Sequence, residues 1–275
     1  MTIFRIPAYT GDHRGGKIEN AWKRVLPNGS VSENFVDLCC PQEAVDQILA
    51  CSGSIAQKVA IPEEIEATVS HSLYFEKGLP PQLRELVYLL KEVVSIPAPA
   101  GVDFAIALDW TKQVEDGVDP SEWADTAMGQ RVRFTKYAPQ PTWSTSRAKR
   151  RELIQALVGF IHRHPLYAAA TAISAPPGSK ADGQSFAELL AQDVAATVGK
   201  PYVSQAAAGP RPQQKDGLHQ DLSEAFTMSA GLTGPVIVMD DVYRTGSSMS
   251  GAALAARRAG ATSVLALTAV RTLRN

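Results

Sequence analysis

The segment from Val236 to Ser250, VIVMDDVYRTGSSMS, constrains the fold of this chain more than any other stretch. Val236, Ile237, Val238 and Met239 form an unbroken apolar run, the pattern of a parallel strand covered on both faces. Asp240 and Asp241 follow at what reads as the carboxyl end of that strand, the edge where open α/β sheets bind ligands. Thr245, Gly246, Ser247 and Ser248 then open an alanine-rich period, Met249 to Ala259, that reads as a helix capped by Gly260. A helix start exposes unpaired N–H groups with partial positive charge, and small hydroxyl residues let a phosphate approach them. An acid pair beside such a seat suits the vicinal hydroxyls of a ribose, or a hydrated divalent cation.

A second segment has the same logic. Ala168 to Ser174 reads as a strand, and Ala175, Pro176, Pro177, Gly178, Ser179 and Lys180 form a turn before a helix over 185–198. A Pro-Gly turn at a strand's carboxyl end presents backbone N–H groups, and Lys180 adds a cation, so pyrophosphate is the expected occupant. Between the two motifs lies a polar stretch containing Arg211, Lys215 and His219, of the length that compact domains reserve for functional or disordered loops.

These motifs sit in an alternation that starts near Ser146. It runs helix to Arg163, strand over 168–174, helix over 185–198, strand near Tyr202, long loop, strand over 236–239, helix over 249–259, strand over 263–270. Such a series predicts an α/β fold with a doubly wound parallel sheet. The N-terminal half reads as α+β: helices over Gln82–Val94, with Pro80 and Pro81 at its start, and over Pro41–Ala50, and strands over Val102–Asp109 and Arg131–Tyr137. The prolines between Pro139 and Pro141 read as a linker, giving an expected division into residues 1–143 and 144–275. With few residues after the last strand, a hood over the site is expected from the N-terminal region. Trp22, Trp110, Trp123 and Trp143 all fall there and suit either stacking on a planar acceptor or packing.

Composition narrows the class. The 275 residues carry 27 Lys and Arg against 28 Asp and Glu, a balance that argues against a dedicated nucleic-acid surface despite the local cluster Arg147, Lys149, Arg150 and Arg151. No apolar run reaches bilayer-spanning length and the start lacks a signal-peptide core, so a soluble cytoplasmic protein without membrane partners is expected. Cys39, Cys40 and Cys51 have no CxxC spacing, which fits a reducing compartment and argues against a structural zinc. His162 and His164, at a helix end before Pro165, fit dipole complementation better than metal ligation.

The Val236–Ser250 segment resembles the phosphoribosyl pyrophosphate (PRPP) loop of the type I phosphoribosyltransferases, an apolar strand followed by two acids, a short spacer and Thr-Gly with a Thr or Ser. The resemblance implies that Asp240 and Asp241 hold the ribose hydroxyls and meet Mg²⁺ indirectly through PRPP. Val242, Tyr243 and Arg244 would complete the loop, and Thr245, Gly246, Ser247 and Ser248 would wrap the 5-phosphate. Ala175 to Lys180 takes the place of the pyrophosphate loop, which carries a cis peptide in many members, with Arg211 beside it. Lys215, His219 and Arg244 are the candidates for catalytic contacts.

The ComF-like branch is similar in further landmarks: Gln184, Ser185 and Phe186 before the AELLA run, then Gln214, Gly217, Leu218, Ala225 and Phe226. Two departures stand out. The zinc ribbon of that branch is missing, and Arg244 occupies the position where purine-salvage members place an Asp, which disfavours a purine acceptor. The resemblance therefore implies Mg²⁺-dependent transfer of ribose 5-phosphate from PRPP to a small-molecule acceptor with release of pyrophosphate, in a homodimer. The alternatives are a non-catalytic PRPP- or nucleotide-sensing regulator, a ComF-like accessory protein, and a hydrolase or lyase that admits water to the same phosphate seat.

Overall fold

The structure is a computed structural model and describes residues 13–115, 117–136, 144–210 and 221–273, with only the backbone described at 144 and 145. The chain forms two compact units, Met1–Pro97 and Ala98–Asn275.

The first unit contains β1 (Asn20–Val25), β2 (Val31–Cys39), α1 (Gln42–Ser52), β3 (Ala56–Val59), β4 (His71–Phe75), α2 (Pro81–Glu92) and β5 (Val94–Ile96). Its antiparallel sheet has the order β1-β2-β4-β3. Both helices fall where periodicity places them. Pro81 starts α2 at a position that needs no N–H donor, and Leu83, Leu86, Val87 and Leu90 form its buried stripe. On the sheet, the Arg24 guanidinium grips Asp37 with two hydrogen bonds of 2.7 and 3.1 Å and lies 4.4 Å from the centre of the Phe35 ring. Such a forked pair fixes strand register as much as it stabilises.

The second unit runs β6 (Phe104–Trp110), α3 (Ala127–Lys136), α4 (Ser144–Arg163), α5 (Pro165–Ala168), β7 (Ala172–Ser174), α6 (Phe186–Val198), β8 (Gln205–Ala207), β9 (Phe226–Met228), β10 (Val236–Tyr243), α7 (Ser247–Arg258) and β11 (Val264–Arg271). Within it, β6, β11, β10 and β7 lie side by side in that order and all pairs are parallel. Val236 to Met239 and every residue of β11 are buried, as expected for strands covered on both faces. Helix α4 packs on both α3 and α6, while α7 packs on β10, β11 and β9. The α/β parallel-sheet class is therefore the one the alternation predicts.

Four expectations are corrected. The compact units divide at Pro97 rather than at residue 143, because β6 is hydrogen-bonded along β11 and its following helix packs on the same sheet. Residues 131–136 are helix, not strand: Met128 and Val132 share a buried face, and Thr126 caps α3 by accepting the Gly129 N–H at 2.9 Å. The run 168–174 is divided between the end of α5 and a strand of three residues. The strand expected near Tyr202 is a single bridge to Ile173, and the chain then forms a short antiparallel pair, β8 with β9.

Candidate functional site

Strand β10 continues past the acid pair instead of ending before it. Asp240 pairs with Thr268, Val242 with Val270 and Tyr243 with Arg271 on β11, whereas β7 accompanies β10 only from Val236 to Val238. Beyond Val238 no strand among the described residues pairs with that flank of β10. A concave pocket of about 50 Å³ is lined by Asp240, Val242, Tyr243, Arg244, Thr245, Gly246, Ser248 and Met249. It has room for a group of phosphate size.

The phosphate seat has the expected construction. Gly246 stands immediately before α7 with φ +82°, the left-handed region in which a side chain is strained. A Cβ there would also press into the Tyr243 ring and hydroxyl and approach Pro99. Ser247, Ser248 and Met249 are the first three residues of α7, whose N–H groups no helical carbonyl reaches. The Thr245 and Ser247 hydroxyls lie 3.1 Å apart and half-buried, and Ser250 N–H closes the turn on Gly246 O at 2.7 Å. At the other end of α7 Gly260 has φ +102° just past the last turn, as its position predicts.

The loop is braced from beneath by a residue outside the motif. Arg271, at the end of β11 and buried, donates from Nη1 to the carbonyl of Arg244 through a short contact and to that of Tyr243 at 3.4 Å. Its guanidinium lies 5.0 Å from the centre of the Tyr243 ring, and Thr272 N–H donates to Tyr243 O at 3.0 Å. Burial raises the Tyr243 hydroxyl to about 12, so it stays protonated. Arg244 itself is exposed.

The two acids are not equivalent. Asp240 is half-buried and lines the pocket; Asp241 is buried and is not part of its wall. Lys136, the last residue of α3, places its ammonium 2.6 Å from Asp241 Oδ2. Desolvation, and next the charge of Asp241, raise the Asp240 carboxyl above the usual carboxylate range, while Asp241 N–H donates to its Oδ1 at 2.8 Å. The donor set does not suit a magnesium ion held by the protein alone. An ammonium already stands against Asp241, and among the described residues no three acids, histidines or cysteines converge.

The turn from Ala175 to Lys180 leaves β7, the neighbour of β10, so both predicted loops leave adjacent strands in the same direction. Ala175, Pro176 and Pro177 are buried, Gly178 and Ser179 half-buried and Lys180 exposed. No peptide bond among the described residues is cis. The two prolines carry no N–H, and the Gly178 N–H already donates to the buried Glu188 carboxylate at 3.1 Å. Glu188 also accepts from Ser185 N–H at 3.2 Å in the capping box that starts α6. With the Gly178 N–H taken by Glu188, the exposed Lys180 ammonium is the group the turn offers an anion.

Arg211, Lys215 and His219 lie outside the described residues, as do Gln214, Gly217, Leu218 and Trp143. Trp123 donates its indole N–H to the carbonyls of Glu115 and Val118, a loop-pinning role. His164 is fully buried against Phe160 and Tyr167, and desolvation lowers it to about 3, so it stays neutral. Sequence reasoning missed Lys136 and Arg271. The signal for Lys136 is its i+4 place after Met128 and Val132, a cation at the end of an apolar stripe.

No family model and no curated protein sequence matches the chain. Among solved structures, adenine phosphoribosyltransferase from Leishmania tarentolae aligns over 65% of this chain and 94% of its own length, at 14% identity and TM-score 0.38. Orotate phosphoribosyltransferase from Aeropyrum pernix aligns over 58% of this chain and 72% of its own, at 18% identity and TM-score 0.31. Phosphoribosylpyrophosphate synthetase from Mycobacterium smegmatis aligns over 43% of this chain but only 33% of its own length, at 18% identity and TM-score 0.30. Likeness at this level carries nothing about activity. The functional reading rests on the site.

Proposed function

We propose that the second unit binds PRPP and transfers its ribose 5-phosphate group to a small-molecule acceptor, releasing pyrophosphate. The observation that carries this reading is the pocket at the end of β10, where the Asp240 carboxyl and the first turn of α7 line one phosphate-sized space. In it, the 5-phosphate takes the N–H groups of Ser248 and Met249, that of Ser247 once it leaves its 3.4 Å bond to Thr245 Oγ1, and the hydroxyls of Thr245 and Ser248. Asp240 accepts a ribose hydroxyl, and the pyrophosphate lies toward the Ala175–Lys180 turn on the neighbouring strand. Magnesium belongs to the substrate as the PRPP complex, and no step passes through a metal held by this protein.

Catalysis on this reading is positional. The loop braced by Arg271 holds the ribose ring while the bond from C1 to the pyrophosphate oxygen breaks and the acceptor's bond to C1 forms. Arg244, exposed at the pocket mouth, is placed to meet an acidic acceptor through its planar fork. No helix among the described residues is long and apolar enough to cross a membrane. The test is pyrophosphate release from MgPRPP across a panel of carboxylated, amine and nucleobase acceptors. Acceptor-dependent release that disappears in Asp240→Asn supports transfer. Tight PRPP binding without release under every acceptor supports the sensing alternative instead. Release without any acceptor supports hydrolysis.

A further inference from the structure

Lys136 offers an inference that rests on the ribose-phosphate reading of the pocket and goes beyond it. Its position is built rather than incidental. Thr126 accepts the Gly129 N–H at 2.9 Å and donates to Trp110 O at 2.6 Å, tying the start of α3 to the end of β6. Gly129 lies so close to Thr111 O that any Cβ there would collide with it. Met128 and Val132 then hold the helix against the sheet, and Lys136 is the next residue of the same i, i+4 stripe. The side chain is about one-third exposed and ends 2.6 Å from the buried Asp241 carboxylate.

We infer that Lys136 is the resident cation of the acid pair, supplying the positive charge that a divalent ion would otherwise bring to Asp240 and Asp241 before a ribose can dock. Two adjacent carboxylates at a half-buried strand end repel one another, and Asp241, without a partner, would be an uncompensated buried charge. An ammonium on Asp241 neutralises one of the two and leaves Asp240 as the acceptor facing the pocket. The consequence is specific: a ribose phosphate that carries no pyrophosphate of its own should bind here without a divalent metal. Lys136 is a positioning residue in this scheme, since it touches Asp241 and not the ligand.

The experiment measures ribose 5-phosphate affinity by calorimetric titration in EDTA and in MgCl₂, for the wild-type chain, Lys136→Met and Lys136→Arg, with a thermal melt of each protein. The wild type is expected to bind equally in both buffers. Lys136→Met should lose about tenfold or more in EDTA and recover in MgCl₂, while Lys136→Arg stays metal-independent. A merely structural lysine would not create a metal requirement in its methionine variant. Wild-type binding that needs Mg²⁺, or a methionine variant that binds in EDTA as the wild type does, overturns the role of Lys136 alone. If Lys136→Met melts without a native transition, the arginine variant decides, and a magnesium requirement there overturns it as well. Absence of wild-type binding in both buffers overturns the ribose-phosphate reading and this inference with it.

Discussion

Replacing Arg271 with Met probes how the phosphate loop is held. The guanidinium lies buried beneath the loop, and its Nη1 donates to Arg244 O through a short contact and, more weakly, to Tyr243 O at 3.4 Å. A hydrogen bond from a charged donor contributes about 1.5–3 kcal/mol, and a desolvated cation on an aromatic face about 1–2 kcal/mol more. Against this stands the cost of burying a charge, which Met does not incur and which offsets about half of the sum. The expected net loss is therefore about 2 kcal/mol, or about 4–8 °C in melting temperature for a unit of this size. A loop freed of its brace must also be reordered by ligand, so phosphate affinity should fall about tenfold. Thermal melts with and without ribose 5-phosphate give both numbers. Arg271→Met melting within 1 °C of wild type, with unchanged affinity, would refute the bracing role.

Gly246→Ala should weaken ribose 5-phosphate binding and cost about 1–3 kcal/mol of stability, because it combines a strained φ with a clash against Tyr243. Tyr243→Phe in that background, by removing the hydroxyl it meets, should recover part of the loss in a double-mutant cycle of denaturation midpoints; no recovery would place the strain elsewhere. His164 has a folded-state value of about 3 against an ordinary 6.5, so between those limits the unfolded chain holds the extra proton. Its contribution to stability is thus complete above pH 6.5 and is lost as pH falls toward 3. His164→Phe should flatten that part of the stability curve by about one proton, and an unchanged slope in urea melts from pH 7 to pH 4 would show the ring titrating normally.

The β10–loop–α7 unit was legible because all its determinants are contiguous: an apolar run, an acid pair, a glycine and a hydroxyl-rich helix start. Even there the strand end was misplaced. Asp240 and Asp241 stay in extended backbone because β11 continues beside them through Arg271, and a pairing partner twenty-odd residues on leaves no local trace. Helix α3 was hidden for a different reason. Val132, Phe134 and Thr135 mimic the alternation of a strand, and the cap that decides for helix is Thr126, set ahead of the apolar positions. Lys136 and Arg271 were invisible as site residues since each acts across more than twenty residues of sequence, on groups that only the sheet brings near.

Direct titration of MgPRPP into the wild-type chain and into the Asp240→Asn, Asp241→Asn double variant tests the ribose-phosphate reading most simply, provided both proteins show the same cooperative melt. Saturable one-site binding to the wild type, lost in the double variant, is the predicted result. Equal binding by both proteins, or no heat with the wild type at millimolar ligand, would contradict it.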